Sequence, residues 1–286
     1  MFHSHAVQKT IIGCSAFALM TATLAEHARA GGNLEASYTI SFARIRVGDL
    51  TATVVLGDSG YAISARGHAG GIVKMLLDGE ASFGARGTIK DNHPVPTTFT
   101  SKIVSRGETS EVTMALDDGS VRELEAAPLS SSTDLVPVTE TNRQGIIDPL
   151  TAMLFSSAAV GEGLSQHACW HTLPIFDGRQ RYDLKLAFKR IDQVTADKGY
   201  AGPVVVCSVR YEPIAGHRAS RFVKYLSEGR EMEMALAPIA GTRLLAPIRL
   251  SVVNMLANLM IEANRFETTS QPSDASLSTI AGRKAR

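Results

Sequence analysis

The sequence predicts a mainly β protein: an antiparallel open or spiralled β-barrel with two short helices, a two-sheet sandwich being the runner-up. Three observations predict it. Apolar and polar residues alternate with a period of two along most of the chain from Leu34 onward. Turn residues recur at short intervals, so that consecutive strands can pair as hairpins. The count reaches about a dozen strands, and a flat sheet that wide would curl or split.

The elements follow in order. Ser37 to Val47 places Tyr38, Ile40 and Phe42 on one face, and Gly48-Asp49 reads as the turn into Leu50 to Leu56. Gly57-Asp58-Ser59-Gly60 leads into Tyr61 to Ala65, and later hairpins are signalled by Arg106-Gly107-Glu108 and Asp117-Asp118-Gly119. One interruption has Ile72, Met75 and Leu76 at helical spacing and predicts a short helix capping an open barrel end. Pro128 to Gln144 is a polar crossing loop, and Asp148-Pro149 then predicts a capped helix carrying Leu150, Met153 and Leu154 to near Gly161. Asp177-Gly178 joins the strands His171 to Phe176 and Arg179 to Ile191, and Val204 to Tyr211 and Phe222 to Leu226 read as further strands. Ser227-Glu228-Gly229 turns into Glu231 to Leu236, and the last pair is Pro247 to Val253 and Leu256 to Phe266.

Both ends of the chain fall outside this pattern. Residues 1–30 combine a polar start bearing Lys9, a 14-residue apolar run from Ile11 to Leu24, and Ala28-Arg29-Ala30, the order of a cleavable secretory signal peptide cut after Ala30. The run is shorter than the roughly 18 to 20 residues of a membrane-crossing helix. Residues 31–267 read as a single β-rich domain, and 268–286, without aromatics or periodicity, as a disordered tail. Removal of residues 1–30 leaves 27 Lys+Arg against 27 Asp+Glu, a neutral chain that gives no electrostatic reason to expect nucleic acid or an anionic membrane as partner. The expected location is outside the cytoplasm, and no later segment is long and apolar enough to span a membrane.

Cys169 and Cys207 are the cysteines left after cleavage, in a compartment where thiols oxidise. A bridge between them closes a loop of 39 residues, worth roughly 4 kcal/mol on the loop-entropy model. The competing reading is a metal site: His167, Cys169 and His171 alternate, and on an extended strand they would project from one face toward Cys207. No nucleophile elbow, metalloprotease helix, phosphate loop or dinucleotide fingerprint is present, so no catalytic residue, cofactor or metal is assigned. His93 and His217 sit beside Pro94 and Gly216 and read as exposed loop residues. Asp148 and Asp177 are explained by a cap and a turn.

The segment Asp148-Pro149-Leu150-Thr151-Ala152-Met153-Leu154-Phe155, followed by Leu173-Pro174-Ile175-Phe176-Asp177-Gly178-Arg179-Gln180-Arg181-Tyr182-Asp183-Leu184, resembles the bacterial domain of unknown function 3108 family. Pro247-Ile248-Arg249-Leu250 is similar to that family's penultimate strand. The resemblance implies a periplasmic envelope protein of Gram-negative bacteria with an open β-barrel, and brings no established reaction. In outline it is similar to envelope-integrity proteins with a spiral sheet and to half-barrel carriers of lipoprotein acyl chains.

The functional expectation is therefore a non-enzymatic periplasmic protein supporting cell-envelope integrity. It would bind a hydrophobic ligand such as a lipid or acyl chain, or an envelope protein, in a concave β-sheet. The alternative is an envelope hydrolase acting on glycan or peptide, with Asp183 and Glu233 as candidate carboxylates on the polar sides of their strands. A purely structural scaffold is the third reading.

Overall fold

The computed structural model describes residues 31–70, 79–128, 134–157, 164–228, 232–252 and 258–271. Seven long strands form the first half: β1 Gly31–Phe42, β2 Ile45–Leu56, β3 Gly60–Ala69, β4 Gly79–Lys90, β5 His93–Ser105, β6 Glu108–Asp117 and β7 Ser120–Ala127. The second half adds β8 Phe155–Ser156, β9 Thr172–Phe176, β10 Arg181–Thr195, β11 Lys198–Gly199, β12 Ala201–Ala215, helix α1 Arg221–Ser227, β13 Met232–Pro238, β14 Leu244–Val252 and β15 Leu259–Gln271. All the strands belong to one sheet with the path β7-β6-β5-β4-β3-β2-β1-β15-β14-β13-β12-β10-β9. Two short strands lie beside it, β8 on β14 and β11 on β15. The mainly β, open antiparallel architecture expected from the alternation is the one observed.

Most strands of the first half bury alternate residues. Leu34, Ala36 and Tyr38 of β1, Val54 and Leu56 of β2, Tyr61 and Ile63 of β3, and Phe99 of β5 line one face, and hydroxyl and charged residues line the other. The middle of the second half is buried on both faces. Val204 and Val206 of β12 and Ala235 and Ala237 of β13 join this first core, whereas Val205, Cys207, Met234 and Leu236 join a second core capped by Phe155, Leu164 and Ala168. That is why Val204-Val205-Val206 and Met234 to Ala237 are unbroken apolar runs.

Several local expectations are corrected. The first hairpin turns at Ala43-Arg44, both with positive φ (51° and 66°), and not at Gly48-Asp49. Gly48 is instead inside β2, where a Cβ would stand 2.8 Å from the carbonyl oxygen of His68. Over the described part of the helix expected from Asp148 to Gly161 there is a single 3₁₀ turn, Thr151–Met153, because Phe155 and Ser156 are taken up by pairing with Leu245 and Leu244 of β14; residues 158–161 lie outside the described residues. The strand expected at Phe222 to Leu226 is α1: the Ser220 side chain accepts from the Val223 amide and starts a helix. The expected domain end at 267 falls short, since Thr268 to Gln271 pair with Leu34 to Gly31 and carry β15 through residues assigned to the tail. The signal peptide with its cut after Ala30, the helix at 72–77 and the tail from residue 272 lie outside the described residues. Among the described residues no helix is long and apolar enough to cross a membrane.

Candidate functional site

Among the described residues the path of the sheet ends in β7 and β9, and the chain brings these two strands together without pairing them directly. Residues 146–147 run between them. The Ile146 amide donates to the Gly119 carbonyl in the β6–β7 turn at 2.9 Å, the Ile147 amide to Pro174 of β9 at 2.9 Å, and the Phe176 amide returns to Ile147 at 3.0 Å. This seam gathers the residues of the two segments singled out in the sequence.

At one end stands Asp148, with no exposed surface. Its Oδ1 accepts from the amides of Leu150 (2.9 Å) and Thr151 (3.0 Å), and its Oδ2 from the Thr151 hydroxyl (2.5 Å), whose oxygen also meets the Tyr61 hydroxyl at 2.6 Å. The capping role read from Asp-Pro is therefore present, on a shorter turn than expected. Burial pushes the Asp148 carboxyl above its ordinary value, opposed by these hydrogen bonds. At the other end Asp177 Oδ1 accepts from the amides of Arg179 (2.8 Å) and Gln180 (2.6 Å), and burial raises its pKa as well. Gly178 has φ +91°, and a Cβ there would collide with Val112 of β6. The hairpin tip thus packs directly on the opposite edge.

Arg179 makes the tie. Its guanidinium donates to the carbonyls of Ala127 and Pro128, both at 2.9 Å, and to Glu111 at 3.4 Å, reaching from the β9–β10 hairpin to the end of β7. Replacing Arg179 with alanine leaves these edge carbonyls without their donor, so the unfolding free energy falls by about 2 kcal/mol. Lysine, lacking the planar fork, restores less than half of that. Urea unfolding measures the loss, and faster hydrogen exchange at the Ile147 and Phe176 amides locates it at the seam. Unchanged exchange there would mean that Arg179 does not hold the two edges.

The remaining candidates are dispersed. Cys169 and Cys207 form a disulfide within the second core, both fully buried. Residues Gln166–Cys169 are a 3₁₀ turn, so His167, Cys169 and His171 do not line one strand face, and the thiolates of the metal reading are engaged in the bridge. His167 instead packs edge-on against Trp170, ring centres 4.3 Å apart. His93 opens β5 and lies 3.3 Å from the Ser156 hydroxyl, and His171 is pushed down by partial burial and by His93. His217, read as an exposed loop residue, is half-buried, with its carbonyl accepting from Val136. Asp183 pairs with Arg181 at 2.5 Å. Glu233 is held by Arg190 (2.9 Å) and Lys189 (2.6 Å), and the Arg190 hydrogen bond, ahead of Lys189, pulls its carboxyl down to about 2. Among the described residues no group of three or more His, Cys, Asp or Glu side chains could hold a metal ion.

The apolar face of the sheet is filled by its own side chains. Tyr61, Phe99, Met114 and Phe266, each 1% exposed, belong to one continuous core under the strands. An open depression of about 370 Å³ lies on the outer, polar face, over Gly84 and between Ser64, Ser82 and Thr100, with Arg66 and Lys102 at its rim.

Fold and seam together define a class: a single open antiparallel sheet with a filled interior, its two edges tied by an Asp-Pro turn and an Asp-Gly-Arg hairpin. The chain belongs to the DUF3108 family, described as a protein of unknown function, whose model matches residues 37–262. No curated protein matches it. Among solved structures it is similar to a β-barrel-like protein of domain of unknown function DUF1849 from Brucella abortus. That likeness has 9% identity and a TM-score of 0.45, and covers 85% of this chain and 98% of the other.

Proposed function

We propose that the protein is a non-enzymatic component of the bacterial periplasm that supports the cell envelope by docking a protein partner on its surface. The observation that carries this reading is the occupancy of the sheet's apolar face by the protein's own core, with Tyr61, Phe99, Met114 and Phe266 filling the space that a carried acyl chain would need. Export is supported by the order of residues 1–30 and by a buried disulfide, which suits an oxidising compartment. Against a hydrolase, Glu233 is held ionised by two cations, opposite to what a general acid needs. The test has two arms. Delipidated protein incubated with envelope extract and repurified should return no stoichiometric lipid. Crosslinking in intact cells should yield a discrete partner adduct in the osmotic-shock fraction. One acyl chain recovered per protein, or retention of the protein in the cytoplasm, would overturn the reading.

A further inference from the structure

Strand β9 covers only the first part of β10. Thr172 to Phe176 pair with Lys185 to Arg181, and the Leu186 amide still reaches the His171 carbonyl. Beyond that the chain leaves the edge, because Cys169 is drawn onto the face of β12 by its bond to Cys207. Residues 187–195 of β10 are therefore paired with β12 on one side and, among the described residues, with no strand on the other. Two of the exposed large apolar residues, Phe188 (36%) and Ile191 (47%), lie on this bare stretch. A third, Trp170 (55%), stands where the chain turns away.

The outward backbone groups can be assigned. Gln193 faces Pro203, which has no N–H, and the Gln193 amide donates instead to Asp192 Oδ1 at 2.8 Å. Gln193 is thus at a position that does not hydrogen-bond to β12, and by alternation the N–H and C=O of Ile191 point outward as well. The strand has one bulge: Phe188 faces Cys207 and Arg190 faces Val206, with Lys189 extra.

We propose that this edge pairs with the same edge of a second copy of the chain, antiparallel, about a two-fold axis at Ile191. Ile191 is the midpoint of the bare stretch. With Lys189 bulged in both copies, the register sets Arg190 opposite Asp192 of the other copy, twice, and Phe188 opposite Gln193. The two members of each pair share a face, the Ile191 side chains meet at the centre, and on the opposite face Asp192, 3.4 Å from Arg190 and Arg249 of its own chain, comes next to the Arg190 of the other copy, which also holds Glu233. Bulges and charged residues guard an edge against indiscriminate pairing. Here they leave one self-complementary register.

Sedimentation of the purified protein should show a mass rising from one chain to two with concentration. Ile191→Pro removes an outward N–H that has no strand partner among the described residues, so the fold and melting temperature persist and the dimer is lost. After folding with the native bridge intact, I191C should give a covalent dimer on mild oxidation, since a hydrogen-bonded antiparallel pair holds Cα atoms about 5.5 Å apart. T195C should not, as its two copies would lie about 26 Å apart along the strands. A wild-type protein that stays monomeric at every concentration overturns the proposal. So does dimerisation unaffected by I191P, or equal crosslinking of I191C and T195C.

Discussion

Replacing Cys169 and Cys207 together with alanine lowers the unfolding free energy by about 4 kcal/mol, a shift of roughly 10 °C in melting temperature for a domain of this size. The bridge spans a sequence separation of 38, so its loss releases a long loop in the unfolded chain. A packing contribution acts in the same direction. Both sulfurs lie in the second core beside Val205, Val209 and Leu236, and the bond holds the 3₁₀ turn of residues 166–169, with Ala168, over the outer face of β12. Reduction of the wild-type protein produces a smaller loss, because the two thiols left behind retain most of the packing of the buried sulfurs and only the crosslink is removed. Calorimetry of oxidised, reduced and double-alanine protein measures it. A reduced form within about 1 kcal/mol of the oxidised one would show that the second core holds the turn unaided.

The strands were largely legible because half-buried antiparallel strands write their period directly into the sequence, as Tyr61, Ile63 and Ala65 do against Ser64 and Arg66. Turns were legible where glycine carries the positive φ, at Arg106-Gly107 and Asp118-Gly119, and illegible at Ala43-Arg44 and Asp91-Asn92. Gly48 misled for the converse reason, serving a close approach of His68 in mid-strand. The helix α1 left a readable signal, a serine cap followed by apolar residues at 222, 223, 225 and 226, but the period-two reading of its neighbours overrode it. The pairing of Cys169 with Cys207 was expected from composition and from the oxidising compartment that residues 1–30 predict. The seam was not. Arg179 acts on backbone carbonyls 51 to 68 residues away, and a carbonyl has no side-chain identity to read. The bare edge of β10 depends likewise on where β9 stops, which the disulfide decides.

Asp148 should give the second large effect and an unusual pH profile. Asp148→Ala removes the acceptor of two amides and one hydroxyl in a fully buried place, and stranding these donors costs about 3 to 5 kcal/mol. Asp148→Asn keeps an acceptor and the shape, and costs far less. The two variants also separate the charge from the hydrogen bonds. Burial raises the Asp148 carboxyl above 3.8, so the folded state holds the proton more tightly than the unfolded state. Its contribution is then largest below that value and is lost as pH rises from 3.8 through the raised pKa. Asp177 acts in the same sense. Glu233, lowered from 4.5 to about 2, acts oppositely: its contribution is present above 4.5 and lost as pH falls toward 2. Wild-type stability should therefore carry a component that declines with rising pH above 3.8, and Asp148→Asn should flatten it in part, Asp177 supplying the remainder. Urea unfolding at successive pH values tests this. An Asp148→Asn curve parallel to the wild type throughout would show that the seam carboxyl carries no such linkage.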